Sequence, residues 1–460
     1  MATEFSFHIP LHRFLSATIS EAMKYPHHLP TITAALDKLD TLSDHLRDMI
    51  DIPLLSVVFA TQVKLGMWRR NGNNMYDQLL NYANAPYCRV YKDQDRLLIQ
   101  FLLLEYPAAD FVTHLFHRFL VKECLKSHDL RAYDSYVREA EYFSGLLDES
   151  LQFLIHICSE LPPPPHVDQF TRLRSRLQKE LIHRLIAGPA TYSQIQECFS
   201  IYPDFQKLQS ERVDDIIAEV ADKQLSSGLK PPTFTLKKCF WSSYDPAFPH
   251  ILDTAHQTAH ELRPKLVCNQ PIVPPPMESH PCFQDLSHRL LLDPSLLHVI
   301  RDLFLAAAAE RCKSPVYQPI LTSWTITITE AVYTRIIHIL TLILHTVATQ
   351  SSTADGSNPD SRKDFLADFI LSQPISSSDV ENSLPRLSSL PSLLCALVDL
   401  KSYCALGSAS SDRAYWLGWI LDQCEALGPR CESFIKYVAS HMNIHDSTFN
   451  RSLFDFSGRN

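Results

Sequence analysis

Apolar residues recur every three or four positions along much of this sequence, and that spacing predicts a mainly helical chain. Leu11, Leu15, Ile19 and Met23 trace one such stripe, which we expect to pack on neighbouring helices. Helices of this kind continue to about residue 160, where four consecutive prolines end the first unit. The predicted fold class is therefore mainly α, a multidomain helical scaffold.

The pattern changes between residues 170 and 246, where three short helices precede strand-like segments. Thr191 is placed to cap the second helix, and the third helix is predicted over residues 211–225. A Ser-Ser-Gly turn then leads to Phe234–Leu236, whose alternation is typical of a strand. Three helices and a β-wing in this order predict an embedded winged-helix (α+β) module.

Proline-rich and serine-rich stretches divide the 460 residues into successive parts, enough chain for several cores. The predicted parts are a helical scaffold domain (1–160), a Pro-rich linker (161–169), a winged-helix-like domain (170–246), a helical domain (247–348), flexible Ser/Pro-rich linkers with a short helix (349–392), C-terminal helices (393–445) and a tail (446–460).

Composition excludes several classes of function. Only 10 residues are Gly, and none of them forms G-x-G-x-x-G or G-x-x-x-x-G-K-[ST], the common nucleotide-binding loops. The formal charge of −9 opposes general binding to nucleic acid or to anionic membranes. The third helix of the predicted winged helix also has a negative net charge, with five acidic and two basic side chains between Glu211 and Lys223. We therefore expect protein partners, no nucleic acid and no membrane.

No apolar stretch near the N-terminus resembles a secretion signal, which predicts a cytoplasmic location, with the nucleus as a second compartment. The apolar run of residues 336–348 is short and contains His338 and His345, so we expect a buried core helix. The 12 cysteines are scattered and form no C-x-x-C, which predicts buried, reduced thiols and disfavours a structural zinc site.

Two histidine pairs have the spacing of metal-binding helices, but neither predicts an active site. His256 and His260 stand one helical turn apart, yet Gln257 occupies the position of the glutamate that a metalloprotease uses as its base. His114 and His117 are interpreted as partly exposed helix residues. The sequence therefore nominates no catalytic, cofactor-binding or metal-binding residue.

One stretch is unlike an ordinary core helix. Residues 62–72 read Q-V-K-L-G-M-W-R-R-N-G, which by itself indicates a helix end with a buried Trp68 and a turn at Asn71 and Gly72. The string closely resembles the Q-V-x-x-G-M-W-x-R-N-G signature of the UBR-box N-recognin ubiquitin-protein ligases. Residues 7–13, F-H-I-P-L-H-R, resemble the H-I-P-L-x-R segment that precedes the signature in that family, particularly in its plant-type members.

We interpret the residues of these two motifs as structural. They are His8, Pro10, Arg13, Gln62, Gly66, Met67, Trp68, Arg70, Asn71 and Gly72. Weaker similarity continues through residues 180–194 and 234–246, near the start and the exit of the family's winged helix, and through residues 427–441.

The resemblance implies a RING-type ubiquitin-protein transferase of the N-degron pathway. Such a ligase recognises destabilising N-terminal residues and promotes ubiquitin transfer from a bound conjugating enzyme to substrate lysines, for proteasomal degradation. The implied partners are a ubiquitin-conjugating enzyme and N-degron substrates. The family holds zinc in its UBR box and its RING, and we expect both to be missing here, because the chain has no tight Cys/His cluster. The chain then corresponds to the central scaffold and carries no catalytic RING.

Two other functions stay open from the residues alone. The first is a non-enzymatic helical adaptor for protein–protein interactions, which a scaffold without an active site would suit. The second is a winged-helix nucleic-acid binder, which the acidic third helix opposes.

Overall fold

The computed structural model describes residues 7–25, 28, 30–31, 34, 43–68, 72–83, 87–130, 140–164, 168–202, 204–205, 210–225, 231–266, 280–349, 359–372, 391–406 and 411–441. The chain forms two compact units, Met1–His298 and Val299–Asn460. Helices dominate both, and a small antiparallel sheet lies in the first unit, which confirms a mainly α fold with an embedded winged helix. The division lies inside the stretch that the sequence assigns to one helical domain, residues 247–348.

The first unit opens with a bundle of helices, here called the scaffold. Its helices are α1 (Pro10–Ala22), α2 (Ser43–Lys64), α3 (Gly72–Ala83), α4 (Lys92–Leu102), α5 (Ala108–Arg118), α6 (Lys122–Ser127) and α7 (Ala140–Ser159). The helix α2 lies at the centre and packs against α3, α4, α5 and α7, because it is apolar on nearly every side. The helix α1 lies across α4.

The winged helix follows. Its elements are α8 (Gln169–Ile186), β1 (Ala190–Thr191), α9 (Tyr192–Phe199), α10 (Ser210–Val220), β2 (Ala221–Gln224) and β3 (Thr233–Leu236). The strand β3 is central, pairing antiparallel with both β1 and β2. As predicted, Thr191 caps α9, in a capping box with Gln194. The predicted span of the third helix, 211–225, is wrong at its end, because residues 221–224 pair with β3 instead.

The first unit continues through a 3₁₀ turn (Lys238–Ser243), α11 (Asp253–Leu266), a second 3₁₀ turn (Pro281–Phe283) and α12 (Gln284–Leu291). The helix α13 (Pro294–Cys312) begins in this unit and continues into the second. Asp293 caps α13 by accepting the backbone N–H of Ser295 at 2.9 Å.

The regular elements in the described part of the second unit are all helices. After a 3₁₀ turn (Pro315–Tyr317) it contains α14 (Gln318–Ser323), α15 (Glu330–Thr349), α16 (Pro359–Leu371), α17 (Leu393–Leu406), α18 (Ser411–Glu425) and α19 (Pro429–His441). The helix α15 is long and apolar enough to cross a membrane, but most of it is buried inside the protein, as in a core helix. It packs against α16 and α18. The predicted tail of residues 446–460 lies outside the described residues.

Candidate functional site

The two motifs meet at a cluster of aromatic rings in the scaffold. Phe7, which starts the first motif, lies 5.2 Å from Phe59 on α2 and 5.1 Å from Tyr82 on α3, centroid to centroid. Phe59 in turn meets Trp68 of the second motif edge to face at 4.6 Å. We call these four residues the aromatic junction. The aromatic junction therefore brings the two motifs, which are separate in the sequence, into contact in the fold.

Arg13 anchors the first motif to α4. Its Nε and Nη2 atoms donate to the two carboxylate oxygens of Asp95 at 3.0 and 2.9 Å, and its Nη1 donates to the carbonyl of Phe7 at 2.6 Å. The guanidinium carbon also lies over the ring of Tyr91, 4.9 Å from its centroid. Burial raises the pKa of Asp95, and the hydrogen bonds and charge of Arg13 offset only part of that rise. The charge of Arg13 is thus paired inside the scaffold, and its structural role stays a prediction.

This ion pair sets which side of α1 faces inward. Ser16 also faces α4 and donates to the carbonyl of Gln94 at 2.7 Å. The large apolar residues Leu11 and Phe14 consequently point outward and are 79 % and 73 % exposed. The predicted packing of the Leu11 stripe is therefore wrong in its first half. Leu15 is exposed as well, and Ile19 and Met23 are buried as expected.

The second motif ends a helix. Gly66 has a φ of +72° and donates its N–H to the carbonyl of Val63, while Met67 donates to the carbonyl of Gln62, both at 3.0 Å. These two bonds form a Schellman motif, which needs a left-handed residue where Gly66 stands. The indole Nε1 of Trp68 donates to the side-chain oxygen of Gln62 at 3.2 Å. Five residues of the motif therefore cooperate in closing α2.

The remaining motif residues have varied positions. Trp68 is 43 % exposed, so the expectation that it is buried is wrong; the indole packs edge to face with Phe59 and is partly open to solvent. Pro10 opens α1, where its missing N–H costs nothing. His8 is exposed, and Gly72 begins α3. Arg70 and Asn71 lie outside the described residues, so their structural role stays a prediction.

The described members of the two histidine pairs have ordinary hydrogen-bonding or exposed positions. Within the described ranges, no three His, Cys, Asp or Glu residues are grouped so that they could hold a metal ion. His256 accepts from the Tyr244 hydroxyl at 2.8 Å through Nδ1 and donates to the Phe248 carbonyl at 3.0 Å through Nε2. Both ring nitrogens are therefore occupied. The side chain of His260 lies outside the described part of the chain.

His114 is buried rather than partly exposed, which corrects the expectation for that residue. Its Nε2 lies 2.9 Å from the Oδ1 of Asp51, which also pairs with Arg118. The hydrogen bond and charges of His114 and Arg118 outweigh the effect of burial and lower the pKa of Asp51. His117, as expected, is exposed.

The scaffold and the winged helix meet at a buried polar cluster that the sequence did not reveal. His250, in the segment after the wing, places Nε2 3.0 Å from Asp93 Oδ2 on α4 and Nδ1 2.5 Å from Glu180 Oε1 on α8. Tyr202 donates its hydroxyl to the same oxygen of Glu180 at 2.9 Å. The cluster therefore joins the helical scaffold, the first helix of the winged helix and the segment that leaves the wing.

Neutral histidines surround this charged centre. His183 on α8 donates to the carbonyl of Lys179 at 2.7 Å, accepts the N–H of Asp245 at 2.9 Å and stacks on Phe248 at 3.9 Å. Burial lowers the pKa of His183 to about 4. His156 on α7 donates to a backbone carbonyl of the same segment, at Ala247, at 2.6 Å. The only sequence signal for this cluster was the weak family similarity of residues 180–194 and 234–246.

Comparison with known proteins agrees with the winged helix. Residues 176–269 match the winged-helix domain of UBR1-like E3 ubiquitin-protein ligases. A 295-residue stretch is 28 % identical to the E3 ubiquitin-protein ligase UBR1 of Drosophila melanogaster, and covers 59 % of this chain and 15 % of that protein. The winged helix is therefore of the UBR1-like type, and the chain is similar to UBR-family ligases over more than half of its length.

Two further members of the UBR family show the breadth of the match. The ubr-1 ligase of Caenorhabditis elegans is 28 % identical over 285 residues, covering 58 % of this chain and 13 % of the relative. The ligase PRT6 of Arabidopsis thaliana is 25 % identical over 274 residues, which cover 56 % of this chain and 13 % of PRT6. This chain thus spans a small part of these UBR proteins. A special closeness to the plant-type members stays a prediction.

Proposed function

We propose that this chain is the central scaffold of a ubiquitin-protein ligase of the N-degron pathway. The observation that carries the proposal is the winged-helix match over residues 176–269, in a domain seated on a scaffold that holds both UBR-type motifs. The whole ligase would recognise destabilising N-terminal residues and pass ubiquitin from a conjugating enzyme to substrate lysines. Its location would be cytoplasmic and nuclear.

The contribution of this chain to that reaction is positioning. A RING-type ligase forms no thioester with ubiquitin and acts by holding a charged conjugating enzyme near its substrate. The described residues contain no ligand set that suits the zinc of a UBR box or a RING, and no chemical step is assigned to them. A rigid scaffold would keep the substrate-binding and enzyme-binding parts of the ligase at a fixed separation.

A non-enzymatic adaptor is the second candidate, and the outward apolar side chains of α1, Leu11 and Phe14, favour it because exposed apolar residues suit a protein contact. Nucleic-acid binding is disfavoured by the winged helix itself. The exposed face of α10 presents Asp214, Asp215 and Glu219, which would repel phosphates.

A chimaera tests the ligase proposal. The matching segment of the Drosophila relative is replaced by this chain, and degradation of a reporter with an N-terminal Arg is compared with that of a Met-initiated reporter. We expect selective, proteasome-dependent loss of the Arg reporter. An otherwise identical chimaera carrying Arg13→Ala and Asp95→Ala, which lack the α1–α4 anchor, should lose that activity.

The contrary outcomes are distinct. A chimaera that folds and binds its partners but degrades neither reporter would contradict the ligase proposal and favour the adaptor. Retention of duplex DNA by the isolated chain, weakening steeply with salt, would instead favour the nucleic-acid binder.

A further inference from the structure

Among the contacts between the scaffold and the winged helix, one imidazole bridges an acidic side chain on each side. His250, Asp93 and Glu180 form what we call the His250 clamp, and their side chains are only 8 %, 11 % and 4 % exposed. Asp93 belongs to α4 of the scaffold and Glu180 to α8 of the winged helix. His250 belongs to neither helix and touches both, so it connects the two modules directly.

The geometry determines the charge of the imidazole. Each ring nitrogen of His250 lies within hydrogen-bond distance of a carboxylate oxygen. Ionised carboxylates only accept hydrogen bonds, so both nitrogens must carry a proton. A neutral imidazole carries one, and would leave a lone pair facing one of the two acids. The clamp is thus an acid–imidazolium–acid bridge.

The surroundings leave one acid dependent on His250. Asp93 has a second cation, because Arg96 Nη1 lies 3.1 Å from its Oδ1. Glu180 has the neutral hydroxyl of Tyr202 instead. Other titratable groups that interact with the clamp come from every packed element: Tyr82 on α3, Cys88 and Arg89 in the turn before α4, Lys92 and Arg96 on α4, Lys179 on α8, Cys198 on α9 and Tyr202 after α9.

We propose that His250 is a cationic clamp that fixes the winged helix on the helical scaffold, and that removing its proton loosens this contact. The protein would then keep the two modules in one relative position throughout the neutral pH range. The proposal concerns this chain alone and needs no ligase activity, so its failure would leave the proposed function untouched.

The pH dependence of the clamp has a defined sign. Burial by itself would lower the pKa of His250, but the charges of Glu180 and Asp93 outweigh it and raise that pKa well above the ordinary 6.5. A group whose pKa is raised by folding stabilises the protein fully below its unfolded value and stops doing so as the pH rises through its folded value. The contribution of the clamp should therefore disappear at alkaline pH.

The first test uses the unaltered 460-residue chain. Nitrogen-15 spectra of selectively labelled histidine, with His250 assigned by its absence in His250→Gln, report the protonation of each ring. We expect His250 to show two protonated nitrogens at about pH 7, where most exposed histidines are neutral. A single protonated nitrogen would overturn the proposal, and the protonation itself is measured on the unaltered chain.

The second test follows stability and amide exchange. The midpoint of thermal unfolding of the wild-type chain should fall more between about pH 7 and about pH 10 than that of His250→Gln, because the variant has no proton to lose there. In His250→Gln, amides of α8 and of residues 245–256 should exchange about tenfold faster at neutral pH. His256→Gln is the matched control, since it removes a buried histidine of the same segment whose ring nitrogens face a hydroxyl and a carbonyl instead of two carboxylates.

A second substitution distinguishes the charge of His250 from its packing. Glu180 is left without its cation in His250→Gln, so adding Glu180→Gln should raise the unfolding midpoint again. A purely structural role of His250 predicts that the second substitution lowers the midpoint further. That outcome would refute the clamp. So would an unfolding midpoint that falls as much in His250→Gln as in the wild type between about pH 7 and about pH 10.

Discussion

Arg13 is a buried cation that the fold tolerates because Asp95 receives it with two hydrogen bonds. Removing one partner of such a pair leaves the other charge buried and uncompensated, which costs about 3 to 5 kcal/mol. We expect Arg13→Ala to lower the free energy of unfolding by that amount, measured by urea denaturation followed by circular dichroism.

Leu11→Ala is the matched control on the same helix. The Leu11 side chain is 79 % exposed, so its truncation should change stability by less than about 0.5 kcal/mol. If Leu11→Ala lowers the free energy of unfolding as much as Arg13→Ala does, the outward face of α1 is covered in solution, contrary to this structure.

His338 presents the opposite case, a buried histidine that stays neutral. It is 1 % exposed on α15, and within the described residues neither ring nitrogen has a hydrogen-bond partner. Burial, assisted by the nearby Arg335, lowers its pKa to about 3. The unfolded chain binds this proton more readily than the folded protein does. The contribution of His338 to the free energy of unfolding should therefore be greatest above pH 6.5, and it should fall toward pH 3 by up to about 1.4 kcal/mol per pH unit.

Two substitutions check this prediction. His338→Leu removes both the titration and the buried polar atoms, and should be more stable than the wild type at acidic pH. His338→Gln removes only the titration and should flatten the pH dependence while keeping the cost of burying a polar group. If the wild-type and His338→Leu proteins lose stability in parallel on acidification, another group is responsible.

At the scale of an element, the end of α2 depends on one backbone conformation. Gly66 has a φ of +72°, and an added Cβ there would have no neighbour within 4 Å. Gly66→Ala should therefore cost only the backbone strain, about 1 kcal/mol, seen as a lower midpoint of thermal unfolding. Gly66→Asn should lose less, because asparagine tolerates the left-handed region. A larger loss for Asn than for Ala would indicate that crowding, not backbone strain, decides this position.

At the scale of the whole molecule, the cysteines should differ sharply in reactivity. Every described cysteine is a free thiol, and Cys239 in the first 3₁₀ turn is exposed. Burial raises the pKa of Cys158 to about 12, and in Cys124 burial and nearby acids raise it to about 11. Thiolates are the reactive form, so in the native protein Cys239 should be alkylated well before Cys158 and Cys124.

Peptide mapping by mass spectrometry after brief alkylation measures this order. The same map after denaturation should show all three cysteines modified equally, which controls for peptide recovery. Early modification of Cys158 in the native protein would mean that the core around α7 opens readily.

Much of the whole molecule could be predicted from the sequence, where the deciding contacts are local. Helix periodicity, the Thr191 cap and the strand at Phe234 all rest on residues a few positions apart, and the structure has each of them. The end of α10 was misjudged because strand pairing with β3 overrides the local helical pattern at residues 221–224. The UBR resemblance was carried by two short strings whose local roles, a helix start and a helix end, are also visible in the fold.

Only the tertiary structure decided which residues meet. The sequence determined the helices and the winged-helix module, because turns, caps and periodicity act over a few residues, and its two motifs showed the resemblance to UBR-type ligases. It could not orient α1, whose inward face is chosen by Asp95, 82 positions away. Nor could it pair His250 with Asp93 across 157 positions. A chain with 21 histidines and 51 acidic residues allows very many such pairs, and only packing selects the few that are buried together.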